Sequence, residues 1–160
     1  GGRRPAGRRG RLGRDRLERI DGKTAANSAA TIIGRAARRL LTADGGLNAG
    51  DLEGAFAAAY DAYRMAAEAL LIRQGLRATG GEGSHLTVED AISAQYAKQI
   101  PGLAKPTFER LRRTRHSAQY FDPSSSEISA DDSAWALSTA RTVVEAVGQL
   151  LAVDPPDLFA

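Results

Sequence analysis

The sequence predicts an all-α fold, an up-and-down antiparallel bundle of about five helices. Three observations carry that expectation. The chain is rich in Ala and Leu and poor in aromatic residues, with few β-branched patches, a composition that favours helix over sheet. Apolar residues recur at steps of three and four through most of its length, and no stretch reads as a strand. Short connections marked by Gly, Pro, Ser and Asn separate the periodic stretches, and short loops make neighbouring helices antiparallel.

The first helix is expected from Asn27 or Ser28, either of which can cap it, with Ala29, Ile32, Ile33, Ala36 and Leu40 as its stripe and a break at Gly45-Gly46. The second spans about Ala49 to Arg77, capped by Asn48. Its stripe of Leu52, Phe56, Ala59, Tyr60, Tyr63, Ala67, Leu70 and Leu71 is the strongest periodic signal in the chain. A third starts in "SHLTVEDAISAQYA", capped by Ser84 or Thr87, with Glu89 and Asp90 suited to its positive end, and Pro101 closes it. The fourth starts at "KPTFERL", where Pro106 fits a first turn, and stops before Pro123. The fifth starts at Ser129 with Asp132 three residues on, a capping-box pattern, and carries Leu137, Ala140, Val143, Val144, Val147, Leu150 and Leu151. Met65 and Trp135 read as core residues, as do Tyr60 and Tyr63, whose hydroxyls need partners.

At 160 residues the chain fits one domain. Residues 1–26 hold nine Arg or Lys against three acids, a net +6, and the remaining 13 basic and 16 acidic residues sum to −3. The basic character therefore belongs to a leader, 1–26, ahead of a bundle over 27–152 and a tail over 153–160. "GGRRPAGRRGRLGR" cannot bury enough apolar surface to offset its ordering entropy, so disorder is expected there. It reads either as an arm that neutralises nucleic-acid phosphates or as a solvated tail. The lack of aromatic residues between the arginines favours the tail.

There is no cysteine, so disulfides and thiolate metal sites are excluded, and two histidines, His85 and His116, make a zinc site improbable. No cofactor and no metal are expected. No apolar run has the roughly 18 residues of a membrane span, and the Arg-rich start lacks the apolar region of a secretory signal. A cytoplasmic protein is the expectation. "GGEG" beside His85 is not a phosphate loop, since no strand precedes it and the Lys-Ser/Thr ending is missing; His85 itself fits a cap or a loop-packing role.

The chemistry concentrates in "FERLRRTRHSAQYFDP", residues 108–123. With Phe108 at zero and about 100° per residue, Leu111, Arg115 and Ala118 share its stripe, while Arg110 and Arg113 point away. Arg112, His116 and Tyr120 form a ladder on the flank. A guanidinium on an apolar stripe needs a partner or a function. Arg115 can pair with Asp61 or Glu68 on the long helix, snorkel outward with its stem buried, or face a seam between two subunits where a phosphate binds. His116 suits proton transfer near neutral pH only with a second group in reach.

These stretches resemble the HEPN superfamily. "AFAAAYDAYRMAAEALLIRQGLRATG" is similar to its long second helix, "GSHLTVEDAI" to the turn into its third, "FERLRRTRHSAQYFDP" to its signature helix and "ISADDSAWALSTARTVVEAVGQLL" to its last, over roughly residues 17–152. Active members carry an arginine followed a few residues later by a histidine, in two copies facing each other across a dimer, and cut RNA without metal. Arg110 to His116 has that form, with five residues between. The closer match sets Arg115 on the motif arginine, His116 on a following asparagine and Tyr120 on the histidine, an Arg-x-x-Ala-x-Tyr variant. The resemblance thus implies Arg115, His116 and Tyr120 as the catalytic set, with Arg110, Arg112 and Arg113 on phosphate or RNA.

A tyrosine with an ordinary pKa near about 10 is a poor general base. The first reading is therefore a homodimeric module of bacterial defence or toxin–antitoxin type, non-catalytic or weakly catalytic, that binds RNA, a nucleotide or a partner protein. The second is an active metal-independent endoribonuclease toxin, with an antitoxin or nucleotidyltransferase as partner. The third is a structural adaptor with no nucleic-acid role.

Overall fold

The computed structural model describes residues 17–78, 84–119 and 127–153. A short strand β1 (Leu17–Arg19) leads into α1 (Gly22–Ala49), which is followed by α2 (Leu52–Arg73), β2 (Leu76–Ala78), α3 (Ser84–Tyr96), a 3-10 turn (Pro101–Leu103), α4 (Lys105–Gln119) and α5 (Ala130–Val153). The five-helix, all-α bundle expected from the sequence is what forms. The unexpected element is the antiparallel ribbon, which pairs Leu17 with Ala78 and Arg19 with Leu76. Three-residue strands are too short to show a period of two. The ribbon ties the start of α1 to the end of α2, and Ile20 N–H donates to the Gly75 carbonyl at 2.7 Å. Of the expected 1–26 leader, residues 1–16 lie outside the described residues, and the first described element is β1.

Helix α1 is longer at both ends than its apolar stripe suggests. Its cap is Asp21, whose carboxylate accepts from Thr24 N at 3.0 Å and from Thr24 Oγ1 at 2.9 Å, rather than Asn27 or Ser28. It also runs through Gly45-Gly46, because a side chain at Gly46 would sit 3.2 Å from the Ala55 backbone and the close approach of α2 needs the space. The stop falls at Gly50, which adopts φ 84, a left-handed conformation natural to glycine. Asp51, not Asn48, then caps α2 by accepting from Gly54 N at 2.9 Å. The far end of α2 stops short of Arg77, at Gln74 and Gly75 (φ 87). The capping box of α5 forms as its sequence predicts: Asp132 N–H donates to Ser129 Oγ at 3.0 Å, and Ser129 N–H to Asp132 Oδ2 at 3.1 Å.

Alanine dominates the α1–α2 contact. Ala25, Ala29, Ala36 and Ala43 on α1 and Ala55, Ala59, Ala62, Ala66 and Ala69 on α2 are fully buried. Small residues let the two axes approach closely, so little room remains for growth. Ala36→Leu is expected to cost about 1–3 kcal/mol, as overpacking does, read as a lower urea midpoint with an unchanged slope.

Helix α1 runs against both α2 and α5. Asp44 meets Arg141 at 3.8 Å, while Ile33, nearer the start of α1, lies against Gly148. The helices α2 and α5 run in the same sense, since Ser133, buried at the start of α5, donates Oγ to the Leu52 carbonyl at 2.7 Å. The excursion through α3, the 3-10 turn and α4 permits this. It returns the chain to the end where α2 began, and it carries the arginine-rich segment.

Candidate functional site

Helix α4 is seated by its apolar residues. Phe108 and Leu111 are buried, and the Phe108 ring meets Tyr63 of α2 edge-on, with centroids 4.9 Å apart. The Tyr63 hydroxyl donates to the Gly102 carbonyl at 2.6 Å, which fixes the 3-10 turn just ahead of α4. A side chain at Gly102 would strike Val143 of α5, so the turn is wedged between α2 and α5. Burial pushes the Tyr63 hydroxyl far above the ordinary phenol range, and Tyr60 and Tyr96 upward as well.

The basic residues of α4 meet different fates. Arg112, on the flank of the stripe, donates Nε to Glu89 Oε2 of α3 at 2.8 Å. Glu89 is 2 % exposed, and its other oxygen, Oε1, accepts no hydrogen bond. That bond is the main cause raising the Arg112 guanidinium above its usual value. Lys105 pairs with Asp90, so a second bridge joins α3 and α4. Arg113 is exposed and lies 3.8 Å from Glu109 one turn back. Arg110 stacks on Trp135 of α5, its guanidinium carbon 3.6 Å from the ring centroid. Trp135 is thus half-buried under an arginine rather than enclosed in the core.

Arg115 sits half-buried on α4, as its place on the stripe implies. Its suggested acids are engaged elsewhere: Asp61 and Glu68 flank Arg64, at 3.6 and 3.7 Å. Among the described residues no carboxylate pairs with Arg115. His116 is exposed one residue on and makes an interaction of its own. Tyr120 lies outside the described residues, as does the side chain of His85. Of the six residues singled out, Arg110, Arg112 and Arg113 are held by Trp135, Glu89 and Glu109. Arg115 and His116 adjoin in sequence on α4.

Two partners were hidden in the sequence. Glu89 reads there as a charge suited to a helix start, and Trp135 as core. Only the docking of α3 and α5 against α4 makes them arginine ligands. Among the described residues no group of three or more His, Asp or Glu could hold a metal ion, and no helix is long and apolar enough to cross a membrane.

A family model described as the HEPN domain matches residues 29–150, from within α1 to within α5, including the whole of the arginine-rich helix. The chain belongs to the HEPN domain family. The match starts within α1, so the ribbon strand β1 precedes the matched part. No curated protein and no solved structure matches the chain.

Proposed function

We propose that this HEPN domain is a homodimeric, non-catalytic or weakly catalytic module that binds RNA through α4, with Arg115 as its phosphate contact. One observation carries this reading: among the described residues no carboxylate pairs with the half-buried Arg115, while its neighbour Arg112 is anchored by a buried acid. A partly exposed guanidinium that no described carboxylate occupies has its donors free for an anion, and a phosphate supplies both the charge and the two acceptors that match them. Arg112 and Arg115 stand three residues apart, on neighbouring turns of one face. The anchored guanidinium is preorganised, so it loses little entropy on meeting an anion.

The reading expects binding of a single-stranded RNA oligomer that weakens steeply with salt, and a loss of ten-fold or more in affinity for Arg115→Ala with the fold intact by circular dichroism. RNA incubated with the protein and a chelator stays whole. Cleavage that leaves cyclic phosphate ends and disappears in His116→Ala would establish the endoribonuclease reading instead. Sedimentation as a monomer would remove the paired site from the proposal.

A further inference from the structure

The charges that the bundle leaves unneutralised are not confined to α4. Helix α1 holds Lys23, Arg35, Arg38 and Arg39 against one acid, Asp44, and that acid is turned to Arg141 of α5 at 3.8 Å. Arg35, Arg38 and Arg39 are exposed, and among the described residues no carboxylate pairs with any of them. On α4, by contrast, Lys105, Arg112 and Arg113 each have an acid partner. The segregation is notable because residues 27–160 carry three more acids than bases, 16 against 13.

At about 100° per residue, Asn27, Thr31, Arg38, Thr42, Arg35 and Arg39 fall within one arc of roughly 120°, whose centre lies about 120° from that of the buried Ala29, Ala36 and Ala43. From Asn27 to Thr42 the stripe is about 22 Å long at about 1.5 Å per residue. Its first half borders a shallow groove of about 290 Å³ lined by Asn27, Ser28, Thr31, Ile32 and Arg35. Arginines interspersed with amide and hydroxyl groups are the side chains that contact phosphate and sugar without reading bases. Interfacial membrane helices need an exposed apolar face. Here the apolar face of α1 is spent on the bundle, and Leu41 is the helix's one exposed large hydrophobic residue.

We infer that the outer stripe of α1, with Arg35, Arg38 and Arg39 at its centre, is a second contact surface for the sugar-phosphate backbone of a nucleic acid. It is separate from α4, since α1 packs on α2 and α5 while α4 packs mainly on α2, α3 and the 3-10 turn and reaches α5 through Arg110 on Trp135. A single strand held at both surfaces would contact two distinct faces of one bundle.

The test uses the full chain and a 30-nucleotide oligouridylate. Binding is measured across a salt series for the native protein, for Arg35→Gln/Arg38→Gln/Arg39→Gln, for the corresponding triple lysine variant, and for Arg115→Ala. The glutamine variant should keep its helical signal and melting temperature, since the three side chains are exposed. It should bind at least ten-fold more weakly at low salt and lower the slope of log K against log salt by about 2, the loss of three single-strand phosphate contacts at about 0.7 each. The lysine variant should retain most of the slope. Photo-crosslinks from 4-thiouridine should map to residues 22–49.

Unchanged affinity and slope in the glutamine variant, with crosslinks confined to 105–119, would overturn the inference and leave the α4 reading standing. Loss in the glutamine variant with none in Arg115→Ala would do the reverse. Equal binding of an acidic peptide or of anionic phosphatidylserine vesicles, abolished by the same glutamines, would also overturn it, because the surface would then be a general anion patch.

Discussion

Tyr63→Ala is expected to lose about 3–5 kcal/mol of stability, the usual cost of deleting a large buried aromatic side chain. Tyr63 joins three parts of the fold. Its ring lies within α2 at zero exposure, its edge meets Phe108 of α4, and its hydroxyl holds the Gly102 carbonyl. Removing the ring opens a cavity and also releases the 3-10 turn that aims α4. Tyr63→Phe separates these effects. It keeps the ring and orphans one carbonyl, for about 1–2 kcal/mol. Chemical denaturation of both variants checks the ratio, and an Ala variant within 1 kcal/mol of native would show that the α2–α4 junction is not a core contact. The hydroxyl adds a pH signature. Its folded pKa is raised by burial, so the unfolded chain ionises first, and the contribution is intact below about pH 10 and declines above it. Tyr63→Phe should show a smaller fall in stability across that alkaline range.

Arg112→Ala should cost about 2–4 kcal/mol. Glu89 is nearly fully buried, and Arg112 is its hydrogen-bond partner; without it a carboxylate is left inside the bundle with neither oxygen satisfied. The value stands toward the lower part of the range for broken buried pairs because the Arg112 side chain is itself 32 % exposed and water can partly replace it. The double replacement Arg112→Met/Glu89→Leu should recover most of the loss, since two apolar side chains of similar volume avoid both desolvation costs. A double-mutant cycle with a coupling under 0.5 kcal/mol would show that the two groups do not depend on each other. The same cycle bears on the proposed site. If Glu89 orients Arg112 toward a phosphate, Glu89→Ala weakens RNA binding even where the fold survives.

Both predictions concern residues that the sequence places correctly on a helix but not against a partner. Periodicity identifies Tyr63 and Phe108 as inward-facing, because a step of three or four residues is a property of one helix alone. It cannot say that they meet, since that depends on how α4 returns past α2. The capping box at Ser129 and Asp132 was legible for the same local reason: both of its hydrogen bonds span three residues. Asp21 and Asp51 as caps were missed because polar residues nearby, Asn27, Ser28 and Asn48, fit the rule equally well, and the apolar stripe begins later than the helix does. Gly45-Gly46 reads as a breaker in isolation and becomes a packing device only when the Ala55 backbone lies beside it.

By itself the sequence determined the helical class, the faces that turn inward and the absence of thiol chemistry, all of which rest on composition and on spacing within single helices; the likeness to HEPN proteins rests on the resemblance of whole stretches in order along the chain. Which arginine is neutralised was decided by tertiary structure alone. Arg112 and Arg115 differ by three positions on one helix, yet the docking of α3 sets Glu89 against the first, and Asp61 and Glu68 of α2 are already taken by Arg64. An ion pair forms or fails on a distance of a few ångströms between separate elements, and no local pattern encodes that distance.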